Sequence, residues 1–106
     1  MIRKIKVTEE ILQNESIDPI CSESCYICEA IKKQLRVSHL IACSTSITLD
    51  GKVYKCSKGL SEWQQVFFYT PHTDGEWEDW EENKKPFTII LDDKLEYAYI
   101  EGESHE

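Results

Sequence analysis

Hydrophobic and polar residues alternate from Arg3 to Val7, with Ile5 and Val7 on one side and Lys4 and Lys6 on the other. That period of two predicts a half-buried strand. Thr8 follows as a cap for a short helix over Glu9-Glu10-Ile11-Leu12, whose acids suit the positive end of the helix dipole. Residues 14–19 read as a loop. Ser24 then caps a predicted helix over 25–36. Ile27, Ile31 and Leu35 recur four apart on it, Cys28 and Ala30 widen the apolar stripe, and Lys32, Lys33 and Arg36 face outward near its C-terminal end.

From 37 to 56 the pattern becomes that of strands. Val37, His39, Ile41 and Cys43 alternate against Leu40 and Ala42, which makes His39 a packed core residue. Ile47 and Leu49 form a second run, and Val53 and Cys56 belong to a third. Asp50-Gly51 lies between them, a pair suited to the positive φ angles of a type I′ hairpin turn. Ser61 and Gln64 resemble a capping box opening a helix over 62–69, with Trp63, Val66, Phe67 and Thr70 inward and Pro71 as its end. Residues 72–85 read as a long loop of acids and Trp. Strands at 87–91 and 95–100 flank a turn at Asp92-Asp93-Lys94. The order lacks regular βαβ alternation. It predicts an α+β fold, a mostly antiparallel sheet with two or three helices packed on one face. A chain of 106 residues has the length of one domain, 1–106.

Charge changes this picture more than composition does. Hydrophobic residues make up 41% of the chain, an ordinary share for a folded protein. The formal net charge is −8, and it is unevenly placed. Residues 1–60 hold nine Lys and Arg against seven acids, whereas residues 61–106 hold three Lys against thirteen acids. That balance argues against direct nucleic-acid binding, which needs a basic footprint. No run of 18 apolar residues is present to span a membrane. The opening MIRKIKVTEE lacks the apolar core of a secretory signal, so a cytoplasmic location is expected. The acids at Glu101, Glu103 and Glu106 read as a frayed tail over 101–106.

The cysteines are Cys21, Cys25, Cys28, Cys43 and Cys56. An odd count speaks against a disulfide framework. Cys21, Cys25 and Cys28 read C-x3-C-x2-C at a helix entry, and tetrahedral zinc needs two near thiolates and two further ligands. If zinc is bound, Cys21, Cys25, Cys28 and Cys43 are the candidate set, with Cys56 or His39 as substitutes. No second closely spaced ligand pair exists, so the cofactor expectation is none. A thioredoxin-like redox pair at Cys25 and Cys28 is a further option, since a helix N-terminus lowers a thiol pKa. The plain alternative is that Cys28, Cys43 and Cys25 serve as small core hydrophobes.

No phosphate-cradling glycine loop, H-E-x-x-H or G-x-S-x-G motif occurs. His39, His72 and His105 are scattered, and His72 is expected in solvent. A Cys25 dyad with His39 or His72 would lack an oxyanion-forming turn. The sequence therefore points away from an enzyme.

Its densest feature is Asp74-Gly75-Glu76-Trp77-Glu78-Asp79-Trp80-Glu81-Glu82, six acids and two Trp in nine residues. Trp is enriched in interface hot spots, and acids around such an anchor steer it toward a basic surface. The candidate partner-binding residues are Glu76, Trp77, Glu78, Asp79, Trp80, Glu81 and Glu82. The other reading folds both Trp back over the core and leaves the acids as a solvated face. Lys32, Lys33, Arg36, Lys52, Lys55 and Lys58 offer a positive counterpart. Gathered together, they could pair with the acids of a second copy in a homodimer, or hold a phosphorylated small molecule with Tyr54.

The segment Ile5-Lys6-Val7-Thr8-Glu9-Glu10-Ile11, the pair Cys25-x-x-Cys28, Ala30-Ile31 and Pro86-Phe87 before a strand resemble a group of short uncharacterised phage- and prophage-type proteins. The likeness extends to about Leu91. The acidic Trp segment and residues 95–106 fall outside it. The resemblance implies an accessory protein acting in the bacterial cytoplasm and implies no activity. The functional expectation is a non-enzymatic inhibitor of a host nucleic-acid-handling or defence protein, bound through its acidic aromatic surface. An oligomeric sponge for a nucleotide signal and a small zinc-stabilised adaptor are the alternatives.

Overall fold

The computed structural model describes residues 2–18, 23–67 and 72–103. Ten elements follow one another: β1 (Ile2–Val7), α1 (Glu9–Leu12), α2 (Tyr26–Gln34), β2 (Leu40–Ala42), β3 (Ser46–Leu49), β4 (Lys52–Cys56), α3 (Lys58–Val66), α4 (Asp74–Glu82), β5 (Phe87–Asp92) and β6 (Tyr97–Ile100). The strands form one sheet in the order β1-β5-β6-β4-β3-β2. Every neighbouring pair is antiparallel except β4 with β6. The fold is thus α+β, as expected, with four described helices rather than two or three.

Register explains which residues form the core. Paired residues share a face, and the pairs Ile5 with Ile89, Leu91 with Ala98, Ile47 with Tyr54 and Leu40 with Leu49 all point inward. These residues are buried, with Ile5, Ile47, Tyr54, Ile89, Leu91 and Ala98 fully so. Helix α2 packs on both β1 and β2, the two edge strands, so the sheet curls around it. Its Tyr26, Ile27, Cys28, Ala30 and Ile31 are buried. The Gln34 side chain completes the attachment. It accepts from Lys6 N at 2.9 Å and donates to Lys6 O at 2.8 Å, so it covers the open side of edge strand β1.

Several local expectations hold. Thr8 accepts from Ile11 N and caps α1. Asp50 and Gly51 carry φ of 47° and 89°, the left-handed values of a type I′ turn. Others are corrected. Cys25, not Ser24, is the N-cap of α2. Helix α3 starts at Lys58 on a Ser57 cap, four residues before the expected Glu62, and Val66 is partly exposed. Thr70 and Pro71 lie outside the described residues. His39 is exposed rather than packed, and Ile41 is 48% exposed while Leu40 and Ala42 point inward. The Asp50 carboxylate accepts from Ser38 N at 2.8 Å and His39 N at 2.7 Å, which draws this segment out of the ladder. The strand therefore spans three residues instead of seven.

The C-terminal stretch also departs from expectation. Glu103 is fastened rather than frayed. Its carboxylate accepts from Ser57 Oγ at 2.7 Å, Gly59 N at 2.8 Å and Ile100 N at 3.1 Å. An anion at the start of α3 answers the open N–H groups there. A Cβ on Gly59 would meet this carboxyl group at 2.6 Å, so the glycine permits the close approach. Residues 104–106 lie outside the described residues.

Candidate functional site

The acidic segment expected as a loop is helix α4. Thr73 and Glu76 form a capping box: Thr73 Oγ1 accepts from Glu76 N at 3.2 Å, and Glu76 Oε2 accepts from Thr73 N at 3.2 Å. His72 N donates to the same Glu76 oxygen at 2.6 Å. Thr73-x-x-Glu76 is the sequence signature of that box, and it marks the helix that the acid content had disguised. At the other end Trp63 and Asn83 exchange two bonds, Nε1 to Asn83 O at 2.7 Å and Asn83 Nδ2 to Trp63 O at 3.1 Å. The helix is thus tied to α3 at its C-terminus and closed by its own box at its N-terminus.

The two Trp take different roles. Trp80 folds inward. Its ring meets Phe67 edge-on at 5.2 Å, in an aromatic group that continues through Trp63 to Phe87 on the sheet. Lys84 lies over the Trp80 ring at 4.4 Å and over Tyr26 at 5.9 Å, with its side chain 11% exposed. Trp77 stands against Trp80 at 5.5 Å but remains 46% exposed. The two sequence readings therefore divide between the two rings: Trp80 covers the core, and Trp77 is displayed.

The acids divide similarly. Glu76 serves the capping box, and Glu81 contacts Lys84 at 3.4 Å. Asp74, Glu78, Asp79 and Glu82 are exposed, with no ion pair among the described residues. Asp74, Glu78 and Glu82 follow one another at i, i+4 spacing, rising about 6 Å per step along one side of the helix. Like charges at that spacing repel, and acids at the C-terminal end oppose the helix dipole. The last turn holds no basic residue. The helix thus carries more negative charge than its own stability favours.

Four of the six basic residues of that counterpart have local partners. Lys32 Nζ bonds Glu23 O at 2.8 Å and lies 3.5 Å from Glu29. Lys33 meets Glu10 at 3.8 Å, Lys58 meets Glu62 at 3.9 Å, and Lys52 Nζ bonds Asp93 O at 3.0 Å. Tyr54 is fully buried, and its hydroxyl donates to the Asp93 carboxylate beside Arg3. Burial, then that carboxylate, pushes the phenol up to about 12. A Tyr54 engaged in this way offers no ring to a ligand.

The candidate zinc ligands are described only in part. Cys21 lies outside the described residues, and no three His, Cys, Asp or Glu converge as a metal site among the described residues. Cys25 and Cys28 begin α2, whereas Cys43 sits in the β2–β3 connection against Thr45 and Ser46 at 3.4 Å each. Those hydroxyls, Ser46 first, bring the Cys43 thiol down to about 7. Burial pushes Cys56 up to about 12.

No family model, curated protein or solved structure matches the chain. The candidate surface therefore rests on its own geometry.

Proposed function

We propose that this chain is a non-enzymatic binding protein that docks a cationic protein surface through α4. The observation that carries the reading is the line of unpaired carboxylates at Asp74, Glu78 and Glu82, joined by Asp79 and flanked by half-exposed Trp77. Carboxylates repeated along a rigid rod approach the charge pattern that a phosphate-binding groove accepts. Trp77 supplies apolar contact area that charge alone lacks. In the setting implied by the phage-type resemblance, the partner is a host nucleic-acid-handling or defence protein, and occupancy of its groove inhibits it.

Two features support display over structural use. No described lysine or arginine forms an ion pair with Asp74, Glu78, Asp79 or Glu82. The charge also disfavours the helix that carries it, which suits a surface shaped for a partner. The test is quantitative affinity capture from bacterial lysate with wild type and with a D74N/E78Q/D79N/E82Q variant. A partner held by wild type and lost by the variant is expected. Equal partner sets would overturn the reading.

A further inference from the structure

Two sulfurs stand together at the start of α2, away from the acidic surface. Cys25 is the N-cap, in extended conformation with φ −73° and ψ 179°. Cys28 is the third residue of the helix. Residues three apart at a helix start are neighbours, so the two side chains lie side by side. Cys28 is fully buried, and Cys25 keeps 7% of its surface accessible.

The site treats the two thiols unequally. The hydrogen bond from Cys28, followed by backbone N–H groups of Cys28 and Ile27, holds the Cys25 thiol down to about 7. The same sulfur contact and burial push Cys28 far up. Cys25 therefore gives up its proton more readily than Cys28. Core packing does not call for this. Ser, Thr, Asp or Asn is the usual residue at such a cap. A C-x-x-C pair at a helix start is the arrangement in which two thiols form a local disulfide.

We propose that Cys25 and Cys28 form a dithiol–disulfide exchange site, with Cys25 as nucleophile and Cys28 as resolving thiol, acting on slender small-molecule disulfides of the glutathione type. The Cys25 thiolate attacks one sulfur of RS–SR. The S–S bond breaks, Cys25–S–S–R forms, and RS⁻ leaves and takes the Cys28 proton. The Cys28 thiolate then attacks the Cys25 sulfur and expels the second RS⁻, which solvent protonates. The protein dithiol is oxidised by two electrons to the 25–28 disulfide, and RS–SR is reduced to two RSH. Cys25 keeps the accessible surface of the pair, and the fully buried Cys28 reacts from within.

The experiment is treatment of the full chain with oxidised glutathione, then alkylation and peptide mapping. Wild type is expected to lose two hydrogens and yield the 25–28 linkage. Cys28→Ser is expected to stall with one glutathionyl group on Cys25, and Cys25→Ser to give neither product. The wild-type mapping needs no substitution, so an unfolded variant leaves the result decisive. Cys25 and Cys28 both alkylated after oxidation, or linkage of either to Cys21 or Cys43, would overturn the proposal.

Discussion

Helices α2 and α4 are both nine residues long, yet five side chains of α2 are buried and none of α4. Helix α2 joins the two edges of a curled sheet, so the core fixes its position. Helix α4 is placed by its ends and by one ring: a capping box, the Trp63–Asn83 exchange and Trp80. Burial gives α2 a structural task that consumes its apolar face. End-fastening leaves α4 free to carry charge that packing would forbid. The contrast shows how one small fold can separate a stabilising helix from a displaying one.

The largest expected effect tests the buried side. Ile31→Ala removes a fully buried side chain from α2 and should cost about 3 kcal/mol in urea denaturation, within the range for such cavities. Trp80→Ala should cost less, about 2 kcal/mol, because that ring is only partly buried. Its loss should raise amide exchange chiefly in 74–83, as expected of a locally opening unit. Uniform exchange across α2 and α4 would erase the contrast.

Thr73→Ala should cost about 1 kcal/mol and reduce helical circular dichroism, since it removes one half of the capping box. A smaller change is expected at the turn between β5 and β6. The Tyr54 hydroxyl, with Arg3 behind it, holds the Asp93 carboxyl below its ordinary range. Its folded pKa lies under its unfolded one, so its contribution is complete above the ordinary carboxylate range. That contribution fades as pH falls through the folded value. Asp93→Asn should therefore flatten the acid limb of a stability–pH profile and leave α4 unchanged. The smallest effect has the opposite sign. Glu78→Gln should stabilise the protein by about 0.3 kcal/mol at low salt by relieving i, i+4 repulsion, and salt should erase the gain.

Much of the sheet was legible because its signals are local. Ile5 and Val7 alternate, Asp50-Gly51 specifies its own turn, and Ile27 and Ile31 repeat at helical spacing. What failed depended on distant or competing partners. The start of α3 is set at Ser57 and reinforced by Glu103, which approaches from 44 positions away. His39 points outward because Asp50 captures its backbone N–H. Helix α4 was obscured by its acids, although Thr73-x-x-Glu76 encodes its cap. At the candidate site, charge and the Trp pair were visible in the chain. Which Trp is exposed was not, because Phe67, Tyr26 and Lys84 decide it.

The most direct measurement of the central claim is competition on the captured complex. A partner held by wild type is titrated with duplex DNA at fixed ionic strength, alongside the variant with Asp74, Glu78, Asp79 and Glu82 neutralised. If α4 occupies a groove built for phosphates, DNA releases the wild-type chain and the neutralised chain barely binds. Retention of the wild-type chain at saturating DNA, or equal retention of both chains, would contradict the account.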